Sequence, residues 1–312
     1  MYNRQRQSAE IAPPTMTTII DGNEVSETIR TELEDCVETL AAADVRPGLA
    51  TVLMSDDPAS ETYVNMKQRA CEELGIDGLH YELDPEAPAT ELFEQVEALN
   101  EDPGVHGILV QMPVPDQVDE QQVLETIDPI KDVDGFHPRN VGKLVAGDPL
   151  YRPCTPHGIQ QLLAAIDVDP AGKDAVIVGR SQIVGKPMAN LLLQKAPGGN
   201  ATVTVCHSRT SDLTEKTRGA DILIAAAGVP EMIDGSMISA GTVVIDVGVN
   251  RVDADTEKGY KLVGDVEFES AREKASAITP VPGGVGPMTI TMLLYNTVKA
   301  ASIQENVAVD LP

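Results

Sequence analysis

One lysine stands where a hydrophobic residue is expected. In the segment ETYVNMKQRACEEL, Val64, Cys71 and Leu74 recur at the spacing of a helix's core face, and Lys67 falls within that stripe. Tyr63 lies one turn earlier and beside it. An amine on a core face loses hydration, which lowers its pKa and makes the neutral form accessible near neutral pH. A lysine that moves protons needs that property. The plainer alternative is a side chain that runs off the helix edge with its ammonium in water. Gln111 and Asp134 are the residues that could meet such an amine. Gln111 ends the apolar run GILVQMP, at the carboxyl end of an expected strand, where open α/β sheets place their ligands. Asp134 lies in KDVDGF, in a loop expected to follow the sheet; an ordinary Asp-Gly turn is the alternative. Asp132 and Asp134 are paired carboxylates, but no histidine or third carboxylate falls at ligand spacing, so no metal is expected.

A second set of residues suits a dinucleotide. DAVIVGRSQIVGKPMANLLL reads as a strand, a turn at Gly179 and a helix. Glycine lets the backbone approach a pyrophosphate, and the helix N-terminus offers free N–H groups. The spacing Gly179, Ser181, Gly185 departs from G-x-G-x-x-G, with serine at the second glycine and one extra residue. The next strand ends in CHSRT, residues 206–210, without the acidic residue that holds the ribose hydroxyls of NAD. Ser208, Arg209 and the nearby Arg180 instead suit a 2′-phosphate, so the expected cofactor is NADP. A further loop, TPVPGGVGPMT, carries Gly283, Gly284 and Gly286 and must bring its backbone close to a flat ligand or to another strand.

The elements that position these residues alternate between strand and helix, which predicts a parallel sheet in each half. Strands are expected at residues 17–20, 49–54, 80–83 and 107–112, and helices at 25–43, 60–74, 90–100 and 119–126, with Ser60 as an N-cap and Gly75 as a stop. Residues 128–156 are rich in Pro, Asp and Gly and read as irregular. In the second half, strands at 174–179, 201–206, 220–226 and 242–247 accompany helices at 156–166, 185–194 and 287–302. The expected organisation is a disordered tail at 1–15, a catalytic domain of 16–153 plus 288–312, and a dinucleotide-binding domain of 154–287. Met16 is an alternative start.

Composition excludes several functions. There are 49 acidic and 23 basic residues, for a net charge of −26, which repels nucleic acid and anionic lipid. No apolar run approaches the roughly 18 residues of a membrane span, and the N-terminus lacks the apolar core of a signal peptide. Cys36, Cys71, Cys154 and Cys206 are scattered, as reduced thiols of a cytoplasmic protein would be. The acidic surface suggests a protein working in concentrated salt.

Together the motifs ETYVNMK (61–67), GILVQMPVP (107–115), PIKDVDGFHPRNVGKL (129–144), CTPHGI (154–159), VGRSQIVGKPM (178–188), TVCHSRT (204–210), DVGVN (246–250) and TPVPGGVGPMT (279–289) resemble the bifunctional methylenetetrahydrofolate dehydrogenase/methenyltetrahydrofolate cyclohydrolase family. The resemblance spans residues 17–303. It implies two α/β domains flanking a cleft, the second of Rossmann type, and a homodimer joined through that second domain. It implies NADP-dependent oxidation of methylenetetrahydrofolate followed by hydrolysis to 10-formyltetrahydrofolate. The family's catalytic lysine, tyrosine, glutamine and pterin-binding aspartate fall on Lys67, Tyr63, Gln111 and Asp134. Its cofactor contacts fall on Gly179, Arg180, Ser181, Ser208 and Val249. The substrate wall extends to Val110 and Met112 beside Gln111, and to Pro280, Pro282, Gly283 and Gly284. A hydroxy-acid dehydrogenase of the shikimate type and a non-catalytic NADP-binding scaffold are the rival expectations.

Overall fold

The computed structural model describes residues 16–256 and 259–312. The tail expected at residues 1–15 lies outside the described residues.

The first half opens with β1 (Thr18–Ile19) and α1 (Gly22–Ala41). Asp21 caps α1 by accepting from the Asn23 N–H, and Ile29, Leu33, Cys36, Val37 and Leu40 form its buried face. β2 (Gly48–Leu53), α2 (Pro58–Leu74), β3 (Asp77–Glu82), α3 (Ala89–Glu101) and β4 (Gly107–Val110) follow. The helix expected to start at Ser60 begins two residues earlier. The Asp57 carboxylate accepts from both the Ser60 amide and its hydroxyl, so Asp57 rather than Ser60 satisfies the free N–H groups of the first turn. Gly75 ends α2 with φ +76°, as expected of a stop.

The three strands pair in parallel in the order β3-β2-β4. Chain direction therefore reverses its lateral course between β2 and β4, and a crevice opens at the carboxyl ends of that pair. Beyond β4 the chain forms α4 (Glu120–Thr126) and then runs back beside β4, where the Ile108 N–H donates to the Lys131 carbonyl. The stretch read as irregular contains a helix, α5 (Pro138–Ala146), with Pro138 in its first turn and Gly147 at φ +86° after its end. Asp132 makes that helix possible. It is buried and accepts from the Gly135, Phe136 and His137 amides and from Asn140 Nδ2 at 2.7–3.2 Å. Val141, Leu144 and Val145 recur at helical spacing, but the Pro, Asp and Gly around them mask a helix held by a carboxylate six residues upstream.

The second half comprises α6 (Cys154–Ala165), β5 (Asp174–Val178), α7 (Gly185–Leu193), β6 (Thr202–Cys206), α8 (Leu213–Arg218), β7 (Ile222–Ala225), β8 (Val243–Asp246), a hairpin of β9 (Asn250–Asp253) and β10 (Tyr260–Val263), α9 (Phe268–Arg272), β11 (Ala277–Ile278) and α10 (Val285–Gln304). Its sheet is parallel, in the order β1-β11-β8-β7-β5-β6. β1 thus leaves the first half to add an edge strand to the second sheet. β5 lies between β6 and β7, so the switch point of this sheet is the β5–β7 pair. α10 is apolar around most of its circumference and packs on α6, α1 and α2, joining elements of both halves. Among the described residues no helix is long and apolar enough to cross a membrane, and no group of three or more metal-ligating side chains forms.

Candidate active site

Lys67 lies on the third turn of α2, within the Val64–Cys71–Leu74 stripe, and its Nζ donates to Gln111 Oε1 at 2.9 Å. Gln111 follows β4 directly, its own N–H bonded to the Val52 carbonyl of β2. It therefore sits in the crevice at the β2–β4 switch point. Its Nε2 donates to the Met112 carbonyl at 2.8 Å, which leaves the amide oxygen facing the lysine. Asp134 comes from the segment running back beside β4, on the same side of the sheet. Its Oδ1 accepts from the Cys154 thiol at 3.5 Å. Asn296, buried on α10, donates from Nδ2 to the carbonyls of Val133 (2.7 Å) and Arg152 (2.9 Å), tying Asp134's strand to the start of α6.

The electrostatics follow from this enclosure. Burial pushes the Lys67 amine below its ordinary pKa, while Asp134 and then Cys154 pull it partly back. Burial pushes the Asp134 carboxyl up, and Lys67 opposes that shift. Each group thus moves toward the range where one proton can pass between amine, substrate and carboxyl. Burial and Asp134 together keep the Cys154 thiol protonated. Asp132, two residues from Asp134, accepts from the loop amides and from Asn140 instead.

Tyr63 projects from the same helix and is 47% exposed. It borders a cleft of about 1280 Å³ that also takes in Met66, Val249, Pro280, Pro282, Gly283 and Gly284. Lys67, Gln111 and Asp134 do not line this cleft, whereas Tyr63, one turn before Lys67 on α2, does. The glycine loop's near neighbour is the start of α1. A Cβ at Gly22 would stand 1.7 Å from the Gly284 carbonyl oxygen, and the Gly22 N–H donates to the Gly283 carbonyl. Glycine there serves chain against chain as well as lining the cleft. Val110 and Met112 flank Gln111, and the Met112–Pro113 bond is cis, as is Val281–Pro282.

The second set of residues gathers at the β5–β7 switch point. Gly179 has φ +136°, and a Cβ on it would stand 2.0 Å from the Ala226 carbonyl oxygen. A Cβ on Gly185 would stand 2.3 Å from the Gly179 carbonyl oxygen. Only glycine allows this turn, and the turn leaves backbone open to a ligand. The Ser181 hydroxyl folds back to accept from the Val184 and Gly185 amides, capping α7. Arg180, Ser208 and Arg209 are exposed around the carboxyl ends of β5 and β6. The donor set fits a phosphorylated dinucleotide: a glycine turn, a helix N-terminus and two guanidinium groups where a ribose phosphate would lie.

Sequence reasoning missed two buried aspartates here. Asp246, at the end of β8, accepts from the Gly248, Asp265 and Val266 amides at 2.9–3.0 Å, and burial raises its pKa to about 7. Asp265 accepts from the consecutive amides of Ala227, Gly228 and Val229 and from Asn250 Nδ2 at 2.6–2.9 Å. Asp246 stood in the DVGVN motif without a role, and nothing local in GDVEF distinguishes Asp265 from a surface carboxylate. Cys154 and Asn296 also went unassigned, because their roles come from contacts across the fold.

Comparison with known proteins agrees with both halves of this description. Residues 20–134 match the catalytic domain, and residues 153–305 the NAD(P)-binding domain, of the tetrahydrofolate dehydrogenase/cyclohydrolase family. The chain is 70% identical over 297 residues to bifunctional protein FolD 2 of Haloarcula marismortui, covering 95% of this chain and 100% of the relative. It is 64% identical, with the same coverage, to bifunctional protein FolD of Halobacterium salinarum. The solved bifunctional FolD methylenetetrahydrofolate dehydrogenase/cyclohydrolase of Campylobacter jejuni superposes with a TM-score of 0.87 at 49% identity, covering 92% and 99% of the two chains. The Trypanosoma brucei enzyme, solved with NADP cofactor and inhibitor, gives 0.87 at 39% identity, covering 92% and 98%.

Proposed function

The chain belongs to the tetrahydrofolate dehydrogenase/cyclohydrolase family, and we propose that Lys67, Gln111, Asp134 and Tyr63 serve the two reactions of this bifunctional enzyme. It oxidises 5,10-methylenetetrahydrofolate to the methenyl compound with NADP, then hydrolyses that product to 10-formyltetrahydrofolate. The rival expectations, a hydroxy-acid dehydrogenase and a non-catalytic scaffold, fall away with family membership.

Bound NADP+ supplies a hydride acceptor for the bridging carbon. The protein's part in that step is to hold the pterin: Asp134 accepts hydrogen bonds from its amino edge, and Tyr63 packs against its face. No side chain takes a proton during the oxidation. Hydrolysis differs. Water adds to the methenyl carbon, the bond from carbon to one folate nitrogen breaks, and both protons of that water leave, one for the departing nitrogen and one for solvent. Lys67 takes a proton from the water and returns one to the departing nitrogen, oriented by Gln111, whose amide is fixed on the Met112 carbonyl. The observation that carries this reading is the half-buried Nζ–Oε1 contact of 2.9 Å, with Asp134 near enough to act on the amine. Substrate contacts are assigned to Val110, Met112, Pro280, Pro282, Gly283 and Gly284 as well. Cofactor contacts are assigned to Gly179, Arg180, Ser181, Ser208, Arg209 and Val249.

Domains of 16–153 plus 288–312 and of 154–287 accord with the packing of α10 on α1 and α2. A homodimer through the second domain accords with the edge strand β6, where Val205 is exposed, and with the exposed Leu193 nearby on α7. The net charge of −26 and the relatives in Haloarcula and Halobacterium support a cytoplasmic enzyme adapted to high salt. The test is one cuvette: methylenetetrahydrofolate and NADP+ should give NADPH absorbance, then methenyl absorbance decaying faster than without enzyme. Absence of NADPH formation would refute the oxidation, and methenyl decay at the enzyme-free rate would refute the hydrolysis.

A further inference from the structure

The β5–β7 crevice has two walls, and only one is explained by the glycine turn. The other is the loop after β7, which carries Ala226, Ala227, Gly228 and Val229. Its shape is set from beneath by a carboxylate. Asp265 is fully buried, at the base of the β9–β10 hairpin, and it collects three consecutive amides of that loop. Asn250, at the start of β9, closes the fourth contact at 2.9 Å. Asp246 in turn accepts the Asp265 amide, so the two aspartates couple the ends of β7 and β8 to the hairpin. Glycine makes room for both: a Cβ on Gly248 would stand 2.2 Å from Asp265 Oδ1, and one on Gly264 1.7 Å from Asp246 Oδ2.

We propose that Asp265 is a positioning residue for the dinucleotide, acting through the loop at 227–229. A peptide unit is planar and trans, so its C=O points opposite to its N–H. Amides drawn toward one buried anion turn the carbonyls of Ala226, Ala227 and Gly228 away from it. The Ala226 oxygen accordingly packs on Gly179 at the end of the neighbouring strand β5. Carbonyls of Ala227 and Gly228 turned from the carboxylate would give this wall acceptors, which repel phosphate and suit the hydroxyl and carboxamide donors of a nucleoside. Phosphate contacts then belong to the Gly179–Gly185 wall and donor groups to the Asp265 wall. The proposal rests on the NADP-binding reading above and adds the residue that shapes the second wall.

The enzyme's two reactions separate this role from general scaffolding. Hydrolysis of methenyltetrahydrofolate requires no dinucleotide, whereas oxidation does. Asp265→Asn keeps the size but removes the charge and exchanges one acceptor for a donor facing the amides. Measured by titration calorimetry, its NADP+ dissociation constant should rise on the order of tenfold or more, with cyclohydrolase kcat and KM within about twofold of wild type. Asn250→Ala leaves the carboxylate in place, removes one of its four contacts, and should give a smaller rise in the same direction. It also serves if Asp265→Asn does not fold. Unchanged NADP+ affinity in both folded variants, or cyclohydrolase loss parallel to the loss of affinity, would overturn the proposal. Failure of the wild-type protein to bind NADP+ would instead sink the cofactor reading itself.

Discussion

Replacing Lys67 by methionine separates the two reactions. Methionine matches the Val64–Cys71–Leu74 stripe on which Lys67 sits, so packing is retained. What is lost is an amine donating to Gln111 at 2.9 Å and a cation beside a buried carboxyl. Asp134 is already pushed up by burial and held down by Lys67, so loss of the amine shifts it further up and favours the neutral carboxyl. Folding stability should therefore change little. General acid–base assistance contributes about 10²–10⁴-fold, or about 3–5 kcal/mol of barrier. The variant's cyclohydrolase kcat should fall by that factor. Oxidation needs no side-chain proton transfer, so its loss is limited to the positioning given by one charged hydrogen bond, about 1.5–3 kcal/mol. NADP+ affinity should not move, because the β5–β7 crevice is untouched. The assay is decay of methenyl absorbance, run beside calorimetric NADP+ titration. Full cyclohydrolase activity in Lys67→Met would refute the reasoning, and so would equal loss of NADP+ binding.

Arg209→Ala removes a guanidinium from the end of β6; kcat/KM for NADP+ should fall about 10–100-fold with little change for NAD+, whereas equal loss with both would contradict a phosphate contact. His157 is buried, and its pKa is lowered to about 3 from 6.5 chiefly by burial, with Arg152 adding to the shift. Below pH 6.5 the unfolded chain binds a proton that the folded chain refuses, so stability falls as pH drops from 6.5 toward 3, by about 1.4 kcal/mol per unit at most. Thermal unfolding at pH 7 and pH 5 in equal salt should show that loss, and His157→Gln should reduce it; an unchanged pH dependence in the variant would rule the histidine out. Asn296→Ala frees the carbonyls of Val133 and Arg152, and should raise the folate KM of both reactions while leaving NADP+ affinity alone. A normal folate KM would show that Asp134's strand is held by other contacts.

Local signals made much of this legible. Lys67 betrayed itself by interrupting an apolar stripe, Gly179 by following a strand and preceding a helix, and Gln111 by ending a buried run. Each depends on neighbours within a turn or two. The rest depends on partners far along the chain. Asp265 acts on residues 36–38 positions earlier, Asn296 on one 163 positions earlier, and β1 pairs with β11 across the length of the protein. The helix at Pro138–Ala146 has its apolar residues at helical spacing, but it is short, masked by the Pro, Asp and Gly around it, and fastened by Asp132. The β9–β10 hairpin escaped because its strands are only four residues each, β9 is mostly polar, and neither shows a buried apolar run. Ser60 looked like a cap, yet the chain put Asp57 in that role.

The hydrolytic step turns on one proton on one amine. Lysine labelled with ¹³C at Cε, titrated by NMR in the intact enzyme and assigned by the resonance missing from Lys67→Arg, reads that proton directly. The Lys67 signal should titrate with a midpoint below 10.5, the ordinary lysine value, and shift further down when Asp134 is replaced by asparagine. A midpoint at or above 10.5 would contradict the account, because an amine that stays protonated cannot accept the proton that hydrolysis releases.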